Sequence, residues 1–198
     1  MVKTIHLVRH GHHALLAGVL CGRLPGVELD ELGCHQMSVC AVSLFPPPTA
    51  VQSSPQQRAL QSASILARHH GLAVETVAAV DEIDVGEWSG RSFDALNRDP
   101  DWHRWNNRRG SSRPPDGESM LCLQRRVVQH LEQLRDDAGD GTIAIVSHAE
   151  PIRAALLHYA DIALDQFLSI TVDPASVSTL CFDRRGVHIS RINQRVAV

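Results

Sequence analysis

Hydrophobic residues along the chain fall in short runs that alternate between two periods. Thr4 to Val8 carries Ile5, Leu7 and Val8 and ends at Arg9-His10-Gly11, the pattern of a buried strand running into a loop. Gly141 to Ser147 is the clearest buried strand, and it runs into His148. Shorter runs at Ala50-Val51 and from Ala73 to Val77 also read as strands. So do Val177 to Phe182 and Val187 to Ile192, joined by a turn at Asp183 to Gly186. Between these runs the period is helical. Asp30 is placed to cap a helix through Gln36 and Val39 that Pro46, Pro47 and Pro48 stop. Ser54-Pro55-Gln56-Gln57 predicts a helix start, with Ser54 as N-cap, Pro55 in the first position and Gln57 closing a capping box. Ala59, Leu60, Ala63, Leu66 and Ala67 then repeat at helical spacing until Gly71. From Glu118 onward, Met120, Leu121, Val127, Val128, Leu131 and Leu134 mark one face of a long helix. After His148, Ile152, Ala155, Leu156 and Tyr159 mark another.

Strands alternating with helices predict an α/β layered fold with a largely parallel sheet. The 198 residues suit one domain, 1–198, with a core large enough to need no disulfide or metal staple. Residues 93–117 break the pattern. They are polar, carry Trp102, His103, Arg104, Trp105, Arg108, Arg109 and Arg113, and end in Pro114-Pro115. We expect an irregular cap segment with a short helix, mainly a solvated loop whose tryptophans pack on the body. The alternative is a cover over the site that meets an anionic or ring-bearing substrate.

Composition narrows the function. The formal net charge of -3, from 19 basic and 22 acidic residues, argues against a nucleic-acid partner. No apolar run approaches the roughly 18 residues of a membrane span, so no membrane partner is expected. The apolar stretch from Ala14 to Cys21 is not read as a signal peptide, because Val19 and Leu20 stand where cleavage wants small residues. Five cysteines, an odd number without a CxxC pair, fit free thiols in a reducing cytoplasm. The C-terminal strands offer an edge for a homodimer.

In parallel sheets, ligands sit at the carboxyl ends of the strands. Arg9, His10 and His148 fall there, and Arg58 falls in the first turn of a helix, where backbone N–H groups favour anions. Two histidines and two arginines suit a phosphate monoester. Arginine gives a phosphoryl group permanently charged bidentate donors. A neutral imidazole can attack phosphorus. A second imidazole, protonated by an anionic neighbourhood, can donate to the phosphoryl oxygens. A carboxyl group must protonate the leaving alkoxide and later activate water. Glu82 is the candidate, with Asp81, Asp84 and Glu87 as near competitors. His6, His10, His12 and His13 leave a metal-dependent hydrolase open as another reading. Otherwise His12 and His13 are polar residues at the mouth of the site.

Leu7-Val8-Arg9-His10-Gly11 resembles the RHG signature of the histidine phosphatase superfamily, also called phosphoglycerate mutase-like. Gly22-Arg23-Leu24-Pro25-Gly26, Ser53-Ser54-Pro55 with Arg58, Glu82 to Gly90, Gly117-Glu118-Ser119 and Val146-Ser147-His148 resemble its further motifs in the family's order. The resemblance implies a three-layer α/β/α sandwich with a mostly parallel mixed sheet. It implies His10 as the nucleophile that becomes phosphohistidine, Arg9, Arg58 and His148 as the catalytic phosphate pocket, and Glu82 as acid and base. Gly22 and the Ala149 N–H are expected to help bind phosphate. No metal and no cofactor are implied, and the partner is a small-molecule phosphate ester. Departures are His12, His13 and Leu16 where the family often has Glu, Thr and Asn, and Ala149 where it has Gly. The short chain and its acid/base motif resemble the small phosphatases, α-ribazole phosphatase-like or of broad specificity, more than the mutases. A phosphomutase and a non-catalytic phospho-ligand binding module are the alternatives.

Overall fold

The computed structural model describes residues 3–137, 141–184 and 186–195. Among them, β1 (Lys3–Arg9), β2 (Ala50–Ser53), β3 (Val74–Thr76), β4 (Gly141–Ser147), β5 (Val177–Asp183) and β6 (Gly186–Gln194) form one sheet in the order β3-β2-β4-β1-β5-β6. The first four run parallel to one another. β5 runs antiparallel to β1, and β6 antiparallel to β5. The expected turn at Asp183 to Gly186 includes residue 185, which lies outside the described residues.

Successive side chains of a strand face opposite ways. Ile5, Leu7, Ile145 and Leu180 therefore join one core with α5 (Met120–Asp136) and α6 (Ala149–Tyr159). Val8, Ala144, Val146 and Val51 join another with α1 (Glu31–Ser43) and α2 (Gln57–His70). The result is the expected three-layer sandwich. Central strands β1 and β4 are covered on both faces, which is why they read as nearly continuous apolar runs.

Local signals set most element ends. Asp30 Oδ1 accepts the Gly33 N–H at 2.8 Å and starts α1. Gly71 takes the left-handed conformation, φ 67°, and ends α2. Three expectations need correction. The capping box at Ser54 does not form: α2 starts at Gln57 without a side-chain cap. The Ser54 hydroxyl instead donates to Asp81 Oδ1 at 2.9 Å and lies 2.7 Å from His148 Nε2. Helix α5 begins at Met120 behind Ser119, whose side chain caps it, and Leu121 is exposed while Leu123 takes its place in the core. Residues 93–117 hold two short helices, α3 (Phe93–Leu96) and α4 (Pro100–Asn107), where one was expected.

The topology aligns the strand ends that matter. β1 and β4 are parallel neighbours with Arg9 opposite Ser147, so His10 and His148 leave the sheet side by side. The His10 N–H continues the ladder onto the Ser147 carbonyl at 3.0 Å, and the Ser54 N–H does so onto the Val146 carbonyl at 2.9 Å. The loop after β1 is held by a glycine contact. A Cβ at Gly33 would overlap the His12 backbone, and a Cβ at Gly11 would lie 2.5 Å from the Gly33 carbonyl oxygen. We expect Gly33→Ala to lower stability by about 1–3 kcal/mol, as overpacking of backbone on backbone does. Denaturant titration checks this; an unchanged midpoint would show that the two segments separate freely.

Candidate active site

The strand ends, the start of α2 and residues 93–117 enclose a cavity of about 460 Å³. Its walls include Arg9, His10, Gly22, Arg58, Glu82 and Ala149. His148 is buried immediately behind, its ring centroid 5.0 Å from that of His10. The structure thus gathers all the predicted residues in one place.

His10 is held in one tautomer. Its Nδ1 lies 2.8 Å from the Gly11 carbonyl, which can only accept, so Nδ1 carries the proton. Nε2 is left with its lone pair, and it accepts from Arg58 Nε at 3.3 Å. Burial, with Arg58 and Arg9 nearby, holds the imidazole well below its ordinary pKa. The ring is neutral across the physiological range.

The two guanidiniums are fixed by carbonyl oxygens. Arg58 Nη2 donates to the Gly22 carbonyl at 2.7 Å, and Arg9 Nη1 to the Val172 carbonyl at 2.6 Å. Gly22 therefore contributes its C=O to orienting Arg58. It has φ 48°, and a Cβ there would lie 2.5 Å from Val85 Cγ2. Arg9 Nε, Arg58 Nη1, His13 Nδ1 and His148 Nδ1 are buried without a hydrogen-bond partner among the described residues. Unmatched nitrogens of this kind, clustered in one cavity, suit an anion with several acceptor oxygens. Ala149 opens α6, whose start no side chain caps, so the helix presents its N-terminal N–H groups to the same place.

His148 departs from expectation. Its neighbourhood is cationic: burial, Arg58, His10 and Arg9 push its pKa well below the ordinary value. It is held neutral. Ser54 donates its hydroxyl proton to Asp81, so it accepts from His148 Nε2, and His148 Nδ1 is left facing Glu82 Oε2 at 3.9 Å. Asp81 also accepts from Gln56 Nε2 at 3.0 Å and from the Glu82 N–H at 2.8 Å. This chain from Asp81 through Ser54 to His148 is not legible in the sequence, because its partners come from three separate segments.

Among the four neighbouring carboxylates, Glu82 alone lines the cavity. Asp81 serves Ser54, Asp84 accepts from the Gly86 N–H at 2.9 Å, and Glu87 is exposed. Burial, then the charge of Glu150, raises the Glu82 carboxyl to about 7, against Arg58, the Ile83 N–H and Arg9. Glu82 can therefore exchange a proton near neutral pH.

Among the described residues, no three histidine, cysteine or carboxylate side chains are grouped to hold a metal ion. His6 is a buried core residue, 3.0 Å from Thr179 Oγ1 and 2.9 Å from the Pro46 carbonyl. His12 Nδ1 pairs with Asp30 Oδ2 at 2.5 Å. His13 was expected at the mouth but is buried, its ring 5.4 Å from that of His10 and its pKa lowered to about 4, chiefly by burial and by Arg58.

In residues 93–117 the tryptophans pack on the body as expected, but buried Arg109 departs from a solvated loop. Trp102 and Trp105 pack on Trp88, with ring centroids 5.4 and 5.5 Å from it, and both line the cavity. Arg109 lies between the Trp105 and Phe167 rings, 3.2 and 3.8 Å from their centroids. Sequence reading missed Glu150, which bridges Arg109 at 3.5 Å and Arg153 at 2.9 Å.

A neutral imidazole between buried guanidiniums, with a carboxylic acid beside it, makes this an α/β sandwich with a site shaped for a phosphoryl group. The family model described as "Histidine phosphatase superfamily (branch 1)" matches residues 5–195, and the chain belongs to that family. A bifunctional protein of Mycobacterium tuberculosis is 32% identical over 191 residues, 94% of this chain and 52% of the relative. The chain thus spans about half the length of that mycobacterial relative. Phosphoserine phosphatase 1 of Hydrogenobacter thermophilus is 31% identical, over 98% of this chain and 92% of its own. The fold matches the α-ribazole phosphatase of Shigella flexneri with TM-score 0.86 at 20% identity, covering 99% of both chains.

The raised pKa of Glu82 has a consequence for stability. The folded state holds this proton at pH values where the unfolded carboxyl has lost it, so stability falls as pH rises from the unfolded value of 4.5 through about 7. Glu82→Gln removes that cost. Its gain over the parent should be about 1–3 kcal/mol at about pH 8.5 and near zero at about pH 4. Denaturant titrations at both pH values check this, and a pH-independent difference would contradict the assigned ionisation.

Proposed function

We propose that the chain is a phosphatase that hydrolyses small phosphate monoesters through a phosphohistidine at His10 and needs no metal. The observation that carries the proposal is the His10 geometry: a neutral ring with its proton fixed on Nδ1 and its Nε2 lone pair beside Arg58.

A substrate dianion displaces the Arg58 Nε–H from the lone pair and takes it as a phosphoryl donor. Arg9, Arg58 and the Ala149 N–H hold the oxygens. The anion's charge lets His148 take a proton from solvent at Nδ1, which faces the phosphoryl group and returns the proton to solvent when phosphate leaves. His10 Nε2 attacks phosphorus while the bond to the leaving oxygen breaks, and protonated Glu82 gives that oxygen its proton. Glu82, now ionised, takes a proton from water as the water oxygen attacks phosphorus and the P–N bond breaks. Inorganic phosphate leaves, and His10 and Glu82 return to their starting states. The arginines supply the positive charge that a metal supplies elsewhere. Residues 93–117 act as a cap over the site. Five free cysteines support a reducing, cytoplasmic setting. The names of the relatives, phosphoserine phosphatase and α-ribazole phosphatase among them, support hydrolysis over transfer to a second substrate.

A panel of phosphate monoesters in excess chelator, run beside His10→Ala, tests the reading. Chelator-resistant phosphate release that falls by about 1,000-fold or more in the variant is expected, as for loss of a nucleophile. Release that the chelator abolishes, or that survives His10→Ala, overturns it. For alkyl esters kcat should fall as pH rises past about 7, the limb reporting loss of the Glu82 proton. Nitrophenyl phosphate, whose leaving group needs no proton, should show a weaker limb.

A further inference from the structure

The cavity is divided chemically. Its floor holds the guanidiniums and imidazoles. Its upper walls, where the leaving group of a bound ester would lie, are formed largely by Leu16, Leu20, Phe93, Trp102, Phe167 and Leu168. Most polar groups among them are engaged with one another, while Trp105 Nε1, Arg109 Nε and Glu150 Oε2 are buried without a hydrogen-bond partner among the described residues. Arg109 is 3% exposed, held between two aromatic rings, and donates from Nη2 to Asn106 Oδ1 at 2.8 Å. Asn106 Nδ2 in turn donates to the Trp102 carbonyl at 2.9 Å. Arg153 is fastened to Glu150 Oε1 and, through Nε, to the Ile170 carbonyl, both at 2.9 Å. Glu150 is held ionised below its ordinary pKa by these two arginines, against the effect of burial. A second carboxylate entering here would meet Glu150 as a like charge and would have to pull its arginines away. The rim continues the apolar surface, since Leu168 lines the cavity while 77% exposed.

We propose that the upper cavity is a leaving-group subsite for an uncharged, predominantly apolar alcohol, alkyl or aryl, and that it disfavours esters whose alcohol carries a carboxylate. The inference rests on the phosphatase reading for the orientation of the ester, and it goes beyond that reading by assigning the substrate class. A relative named for phosphoserine would then differ from this chain in the upper walls, with the phosphate floor in common.

Non-hydrolysable phosphonates separate the two claims, because binding needs no turnover. Calorimetry of ethyl-, butyl- and hexylphosphonate should show affinity rising with length, at most about fourfold per methylene for full burial and at least about tenfold overall. 3-Phosphonopropionate should bind at least about tenfold more weakly than butylphosphonate, the penalty of an unpaired carboxylate in an apolar wall. Leu168→Lys, a change at an exposed rim position, should weaken hexylphosphonate and strengthen phosphonopropionate. Equal affinity along the alkyl series, or tighter binding of phosphonopropionate to the parent protein, overturns the subsite. The phosphatase reading is judged separately, by phosphate release from hexyl phosphate and O-phosphoserine. Faster release from O-phosphoserine contradicts the subsite alone, and absence of release from both contradicts the phosphatase reading alone.

Discussion

The site depends on burying two guanidinium groups whose fixed partners are mainly uncharged. Arg58 and Arg9 are fastened by the carbonyls of Gly22 and Val172. A carbonyl orients a cation without cancelling its charge, so the field stays directed into the cavity. Burial, reinforced by that field, keeps His10, His13 and His148 neutral, and every one of these groups except His10 has a buried nitrogen without a partner among the described residues. Removing cations from water is costly. A phosphoryl dianion reverses each part of the cost at once: it gives the arginines their counter-charge, the orphaned nitrogens their acceptors and His148 a reason to take a proton.

The sheet makes this arrangement affordable in backbone terms. Parallel pairing of β1 with β4 delivers two histidines to one edge in a fixed register, and the ladder continues through the His10 N–H. Glycines at 11 and 33 let the β1 loop lie directly on α1, and Asp30 holds both the helix start and His12. Ser54, one residue past β2, reaches His148 and Asp81 because β2 is the other neighbour of β4. Positions far apart in sequence thus meet at ordinary strand ends, with regular secondary structure doing most of the positioning.

How much of this was legible follows from how local each signal is. Strands 4–8 and 141–147 were plain because burial on both faces leaves continuous apolar runs. Arg9, His10, Arg58 and His148 stood out through their places at strand ends and a helix start, and Glu82 through the glycine turn after it. Ser54 misled, since its sequence context is that of an N-cap and only the tertiary structure shows its hydroxyl bound to Asp81. Leu121 misled because adjacent helix positions differ by one face, and Leu123 fits the buried stripe better. His13 read as polar and became buried. Residues 93–117 read as solvent-facing because their charges are visible in sequence. The burial of Arg109 between Trp105 and Phe167, and its bridge to Glu150, are not.

The central claim is that His10 Nε2 carries the phosphoryl group between substrate and water. The most direct test is to mix enzyme with a phosphate monoester, quench in alkali within the first turnovers and map the phosphorylated residue by mass spectrometry and phosphorus NMR. The account predicts an acid-labile, alkali-stable phosphoryl group on Nε2 of His10, accumulating further in Glu82→Gln with a good leaving group because water is no longer activated. Turnover without any phosphoryl-enzyme, or with the label on another residue, would contradict it.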